Sequence, residues 1–165
     1  MTKKQIKKEA LESIAEFITE NKKYLSKGDI LDFGAGNGGY KKFVDGNYFP
    51  YDPNYEEHNV LTIRRYDGIL CAHVLQCIFD PGEQLKRLYR MLVDDGYLVL
   101  TYNSNWYEIE NNNYAEWYRF TRKAVEKMAK EAEFEIIESK ALNSIDFTDF
   151  KFDITCGIVL KRPKK

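Results

Sequence analysis

The chain has little cysteine, little histidine, no long apolar run and no excess of one charge. Its three cysteines, Cys71, Cys77 and Cys156, are odd in number and lack CxxC spacing. They read as reduced, mostly buried thiols, and a disulfide framework is excluded. His73 follows Cys71 by two positions, and a single such pair offers too few ligands to hold a metal, so no metal is expected. No stretch approaches the roughly 20 apolar residues that span a bilayer. The opening MTKKQIKKEALES also lacks the apolar run of a secretory signal. The expected location is therefore the cytoplasm, with no membrane role. Lys plus Arg number 25 against 26 Asp plus Glu, a formal charge of −1, which removes the electrostatic case for a nucleic-acid-coating protein. The terminal LysArgProLysLys reads as a solvated tail.

What is present fits one folded unit over residues 1–165. The 44% hydrophobic content, with 12 Tyr, 10 Phe and 2 Trp, fills a sizeable core. The chain shows no internal repeat and no linker. Ile6, Ala10, Leu11, Ile14, Phe17 and Ile18 recur at helical spacing, predicting an amphipathic helix within residues 1–26. Glu9, Glu12, Glu16 and Glu20 interrupt its positive face, which favours packing on the protein's own sheet over a membrane surface. Strands are expected at 29–33, 48–51, 59–63, 66–72, 97–102, 134–139 and 153–161. Helices are expected at 40–44, at 81–93 and from Thr121 as N-cap to about residue 132. Strands alternating with helices predict an α/β protein with a mainly parallel sheet.

The chemistry concentrates after the strand at 29–33. GlyAlaGlyAsnGlyGly at 34–39 satisfies GxGxxG through Gly34, Gly36 and Gly39, a pattern that brings backbone close to a nucleotide. Asp32 stands two residues before the first glycine, where a carboxylate accepts hydrogen bonds from an ammonium and repels a pyrophosphate. Asp52 ends the second strand 13 positions after Gly39, suited to two ribose hydroxyls and closer than the roughly 20 of a dinucleotide fingerprint. A nucleoside carrying an amino group and no phosphate fits both acids.

With these residues in hand, the chain resembles the class I S-adenosylmethionine-dependent methyltransferases over about residues 28–161. IleLeuAspPheGlyAlaGlyAsnGlyGly at 30–39 is similar to their first motif, and TyrAspPro at 51–53 to the acidic end of their second strand. Residues 66–81 resemble the fourth strand and its loop. Residues 85–100 resemble the helix, turn and fifth strand that follow, and 119–138 the late helix and strand of members acting on small molecules. The resemblance implies a three-layer α/β/α Rossmann-like fold, with an antiparallel last strand, 153–161, inserted between its neighbours. It implies S-adenosylmethionine as cofactor. Gly34, Ala35 and Gly36 would let the backbone approach it, Asp32 would organise its methionine end, and Asp52 would hold the ribose. Tyr51 or Pro53 would flank the adenine, with Ala72 and His73 at the end of the fourth strand.

The chain also departs from that pattern. Only about seven residues separate Asp52 from the expected third strand, leaving little room for the usual helix, and Thr62 stands where an acid usually follows. Tyr55 or His58 would then cover the adenine side. His73, with an ordinary pKa near 6.5, is the candidate to take a proton from the acceptor, or else to orient the cofactor. The aromatic, Asn-rich stretch 103–120 suits a lid, with Trp106 and Tyr107 as substrate-side candidates and Trp117, Tyr118 and Phe120 as packing residues. The absence of a ProProTyr-type or ProCys motif argues against DNA methylation. The expected activity is methyl transfer to an O, N or C nucleophile of a small-molecule acceptor, either free or presented by a partner protein, with a homodimer left open. Two rivals stand beside it: a non-catalytic partner subunit that binds the cofactor or only keeps the fold, and a small NAD-binding module.

Overall fold

A computed structural model describes residues 3–105, 115–146 and 151–164. Within them a helix, α1 (Lys3–Glu20), precedes strands β1 (Asp29–Phe33), β2 (Asn47–Tyr51) and β3 (Tyr66–Ala72). Helix α2 (Pro81–Met91), strand β4 (Leu92–Asn103), helix α3 (Arg122–Glu131) and strands β5 (Glu135–Asp146) and β6 (Lys151–Lys161) follow. The strands form one sheet in the order β2-β1-β3-β4-β6-β5. β1 pairs in parallel with β2 and β3, β3 pairs in parallel with β4, and β6 runs antiparallel to both β4 and β5. This is the expected mostly parallel sheet with an inserted, reversed last strand.

The short apolar run of β1 forms a buried strand because alternate side chains serve two cores. Ile30 joins Ile14, Phe17, Ile18, Leu70, Val99 and Val159 under α1. Leu31 joins Ile69, Leu85, Leu88, Leu98, Leu100 and Val125 under α2 and α3. Helices on both faces give the three layers. α2 begins where Asp80 accepts from the Glu83 N–H, and α3 where Thr121 accepts from the Ala124 N–H. Among the described residues no helix is long and apolar enough to cross a membrane.

Several expected elements differ. Residues 59–63 form no strand: Val60 and Ile63 are 76% and 99% exposed, so two of the three aliphatic residues there face water. β2 is thus an edge strand, and Pro50 within it has no N–H to offer a ladder. The helix expected at 40–44 shrinks to a 3₁₀ turn, Lys41–Phe43. The chain is drawn back too soon for more, because Asp45 and Gly46 donate to the Leu25 carbonyl and Asn47 donates to Gly28. Residues 94–96, left between the expected helix at 81–93 and strand at 97–102, fall inside β4, where Asp95 takes a left-handed conformation (φ 62°) and its N–H donates to the Arg162 carbonyl. β5 and β6 are longer than their apolar patterns, because each supplies the other's hydrogen-bond ladder.

Candidate functional site

β1 runs into a turn that only glycine suits at its start. Gly34 has φ +81°, and a Cβ there would collide with Val74 Cγ2. The turn is stitched to the end of β2. Gly34 and Ala35 both donate to the Tyr51 carbonyl, at 2.7 and 3.1 Å, and Gly38 donates to Ala35 at 2.8 Å. Gly36 donates to Asp52 Oδ2 at 3.0 Å, while the other carboxylate oxygen of Asp52 accepts from the Asn54 N–H at 2.9 Å. Four N–H groups of the turn are therefore engaged within the protein, and no α-helix begins behind them, so the turn lacks the features that hold a pyrophosphate.

Residues 52–58 fold back as a compact strap. The Asp52 N–H donates to the His58 carbonyl at 2.8 Å, and the His58 N–H donates to Tyr55 at 2.9 Å. His58 Nδ1 meets the Gly36 carbonyl at 2.8 Å. A carbonyl only accepts, so Nδ1 carries the proton. A Cβ added at Gly36 would stand in van der Waals contact with the Tyr55 ring. The strap fills the short stretch between β2 and the strand expected at 59–63, where the sequence left little room for a helix, and it pins the glycine turn from outside.

Turn, strap and the end of β3 enclose a cleft of about 560 Å³, within the range of small-molecule sites. Gly34, Ala35, Gly36, Asp52, Pro53, Ala72 and His73 all line it, as do Tyr51 and Tyr55. Thr62 does not: it is exposed on the irregular segment before β3, and its carbonyl accepts from the Tyr66 hydroxyl at 2.7 Å. With no third strand, nothing aims Thr62 at the cleft. Trp106 and Tyr107 lie outside the described residues.

Asp32 is fully buried, not open to the cleft as expected. Its Oδ2 accepts from the Tyr48 hydroxyl at 2.7 Å, and its Oδ1 has no partner. Burial pushes its carboxyl up to about 6, against the opposing pull of the Tyr48 hydrogen bond and of His58. Tyr48 was not singled out from the sequence. It stands opposite Ile30 in the β1–β2 register, so it shares a face with Asp32, a relation that appears only once the strands are paired.

His73 holds a left-handed backbone (φ 59°), uncommon outside glycine and costing roughly 1 to 2 kcal/mol. Its N–H donates to the Thr101 carbonyl at 3.0 Å, and its own carbonyl accepts from Gln76 Nε2 at 2.8 Å. Its Nε2 is buried without a partner, and burial pushes the imidazole down to about 4, so it is neutral at physiological pH. Cys77, also on the cleft wall, is pushed up to about 11 by burial, which keeps it a thiol.

A family model described as a methyltransferase domain matches residues 3–139. No curated protein sequence matches the chain. Among solved structures, the Burkholderia thailandensis 1,6-didemethyltoxoflavin-N1-methyltransferase, with 1,6-didemethyltoxoflavin and S-adenosylhomocysteine bound, is 14% identical with a TM-score of 0.68. That match covers 92% of this chain and 79% of the other. A S-adenosylmethionine-dependent methyltransferase from Methanosarcina mazei is 13% identical, with a TM-score of 0.60 over 85% of this chain and 94% of its own. A chain of the complex between the Haloferax volcanii Trm112 methyltransferase activator and a methyltransferase is 15% identical, with a TM-score of 0.58 over 85% and 84%. At such identities the likeness establishes a shared fold.

Proposed function

The chain belongs to the methyltransferase-domain family, whose methyl donor is S-adenosylmethionine, and from that premise we propose that it methylates an O, N or C nucleophile of a small-molecule acceptor. The observation that carries the reading is the junction of Asp52 with the glycine turn. Its carboxylate accepts two backbone N–H groups and retains lone pairs on the cleft side for ribose hydroxyls. Gly36, where a Cβ would point toward Tyr55, keeps the floor open. Pro53 and Tyr55 on the rim flank the adenine. The unpartnered Oδ1 of Asp32, behind the turn, favours a positive ammonium on that side and disfavours a phosphate.

When bound, the cofactor supplies an electrophilic methyl on a sulfonium. The protein's part is chiefly to align the acceptor and exclude water. His73, neutral and on the cleft wall, is the group proposed to take the acceptor's proton or to orient it. A pKa near 4 makes it a weak base, suited to an acceptor that loses its proton late. Residues 1–165 act in this reading as one unit.

A second reading, a non-catalytic partner subunit, draws on the abbreviated rim at 52–65. Calorimetric titration with S-adenosylmethionine, S-adenosylhomocysteine and NAD separates the readings, with Asp52→Ala beside the wild type. Adenosyl ligands are expected to bind the wild type, to bind the variant at least tenfold more weakly, about 1.4 kcal/mol, and NAD to bind neither. Failure of both adenosyl ligands at millimolar concentration would overturn the enzyme reading. Binding without turnover across an acceptor screen would favour the partner subunit.

A further inference from the structure

The turn between β3 and α2, residues 73–78, has two faces. His73, Val74, Cys77 and Ile78 line the cleft. Gln76 points the other way and is 2% exposed. Its Nε2 donates to the His73 carbonyl at 2.8 Å and reaches Glu116 Oε1 at 3.5 Å. Its backbone carbonyl accepts from the N–H groups of Trp117, at 2.7 Å, and Tyr118, at 3.3 Å. Glu116 has a side chain only 1% exposed, and its carboxylate holds Asn103 Nδ2 at 2.9 Å and the Arg119 guanidinium at 2.9 Å. The Phe120 N–H donates to the Asn103 carbonyl, and the Tyr118 hydroxyl donates to the Phe79 carbonyl. Segment 115–120 is thus fastened to the outer face of the turn whose inner face is the cleft wall.

A buried carboxylate is costly unless it is paired and hydrogen-bonded, and a polar network that leaves members unsatisfied stabilises a fold poorly. This one leaves Gln76 Oε1 and Asn103 Oδ1 without partners. Stability alone is a weak reason for it, whereas position is a strong one. We propose that Gln76 and Glu116 are positioning residues that couple the cofactor cleft to segment 115–120, so that an adenosyl ligand resting on His73 and Cys77 orders that segment before an acceptor binds. The coupling rests on the cofactor reading given above. It acts through a contiguous hydrogen-bonded turn, and neither residue lines the cleft.

The test is hydrogen exchange of the Trp117, Tyr118 and Phe120 amides in the full chain, with and without saturating S-adenosylhomocysteine, alongside calorimetric affinity and thermal unfolding. In the wild type the ligand is expected to slow exchange by at least about fivefold. Gln76→Met, which keeps the side chain's length, and Glu116→Ala are expected still to bind the ligand while the slowing drops below about twofold. Glu116→Gln, whose amide oxygen still accepts from Asn103, is expected to restore most of it. A purely structural role would speed exchange in the free protein yet leave the ligand-induced ratio intact. That result, or no slowing in a wild type that binds the ligand, overturns the coupling alone. No ligand binding by the wild type overturns the cofactor reading and the coupling with it. If Glu116→Ala does not fold, Gln76→Met carries the same decision.

Discussion

The two halves of the sheet are built differently. β1, β2 and β3 hold 5, 5 and 7 residues, whereas β4, β5 and β6 hold 12, 12 and 11. Every residue that lines the cleft comes from the short half, from the turns that follow it or from α2, and none comes from β4, β5 or β6. On the outer rim of the short half, a seven-residue strap replaces regular structure. The long half carries the antiparallel hairpin and most of the docking surface of α1, with Ile30 and Leu70 of the short half completing it. Ligands of open α/β sheets sit beyond the carboxyl ends of the strands, where loops can vary without disturbing the ladder. The difference teaches that binding and stability are assigned to separate halves here, and substitutions should separate them too.

The largest expected break in stability lies in the long half. Phe17 of α1 is 1% exposed, and its ring lies on Gly157 of β6, where an added Cβ would come within 2.6 Å of it. Phe17→Ala opens a cavity between helix and sheet, and large-to-small core changes of this kind cost about 3 to 5 kcal/mol. Urea unfolding should show that loss, while the folded variant keeps its affinity for S-adenosylhomocysteine within about twofold. A parallel loss of affinity would mean that the halves are not separable.

The same contrast explains what was legible in the sequence. β1, β3, α2 and α3 were readable from their apolar patterns, reinforced in α3 by the start signal at Thr121. The glycine turn and Asp52 were readable because their chemistry is local. The strand expected at 59–63 was not to be found, because three aliphatic residues make a strand only when a neighbour offers an edge, and Val60 and Ile63 have none. The far end of β5 carries Asn143 and Ser144, which look like loop residues in isolation. They stay in the ladder because each strand pairs with the other, with Ser144 donating to Asp153 across it. The Tyr48–Asp32 bond and the Gln76–Glu116 network were invisible because both depend on tertiary register.

Within the short half, the buried Asp32 and the partly buried His73 titrate in opposite senses. Asp32, pushed up from 3.8 to about 6, keeps in the folded state a proton that the unfolded chain has lost, so its contribution falls as pH rises through that window. His73, pushed down from 6.5 to about 4, refuses a proton that the unfolded chain binds, so its contribution rises between about 4 and 6.5. The slopes overlap and oppose. Wild-type stability should therefore change little from this pair between pH 4 and 6. Asp32→Asn should lose stability on acidification from 6.5 toward 4, and His73→Gln should gain it from 6 toward 3.8, each by at most about 3 kcal/mol. Unfolding midpoints across a pH series decide the matter. Flat profiles in both variants would mean that water reaches the two side chains.

The smallest expected effect on stability should be the most selective for binding. His58 Nδ1 is the side-chain tether from the strap to the Gly36 carbonyl, at 2.8 Å. His58→Ala removes one hydrogen bond near the surface, worth about 0.5 to 1.5 kcal/mol. The backbone bonds from Gly34 and Ala35 to Tyr51 remain, so the turn stays formed. What changes is how firmly Gly36 and Asp52 are held for a ligand, and loss of preorganisation appears as weaker affinity. Calorimetry with S-adenosylhomocysteine should show a decrease of about three- to tenfold, the size expected for one lost hydrogen bond. Because the tether joins strap to turn and touches nothing in the long half, unfolding should shift far less than in Phe17→Ala. An unchanged affinity would assign the rigidity of the rim to the Tyr51 carbonyl and the Asp52 carboxylate, and the His58 end of the strap would then be a cover and not a brace.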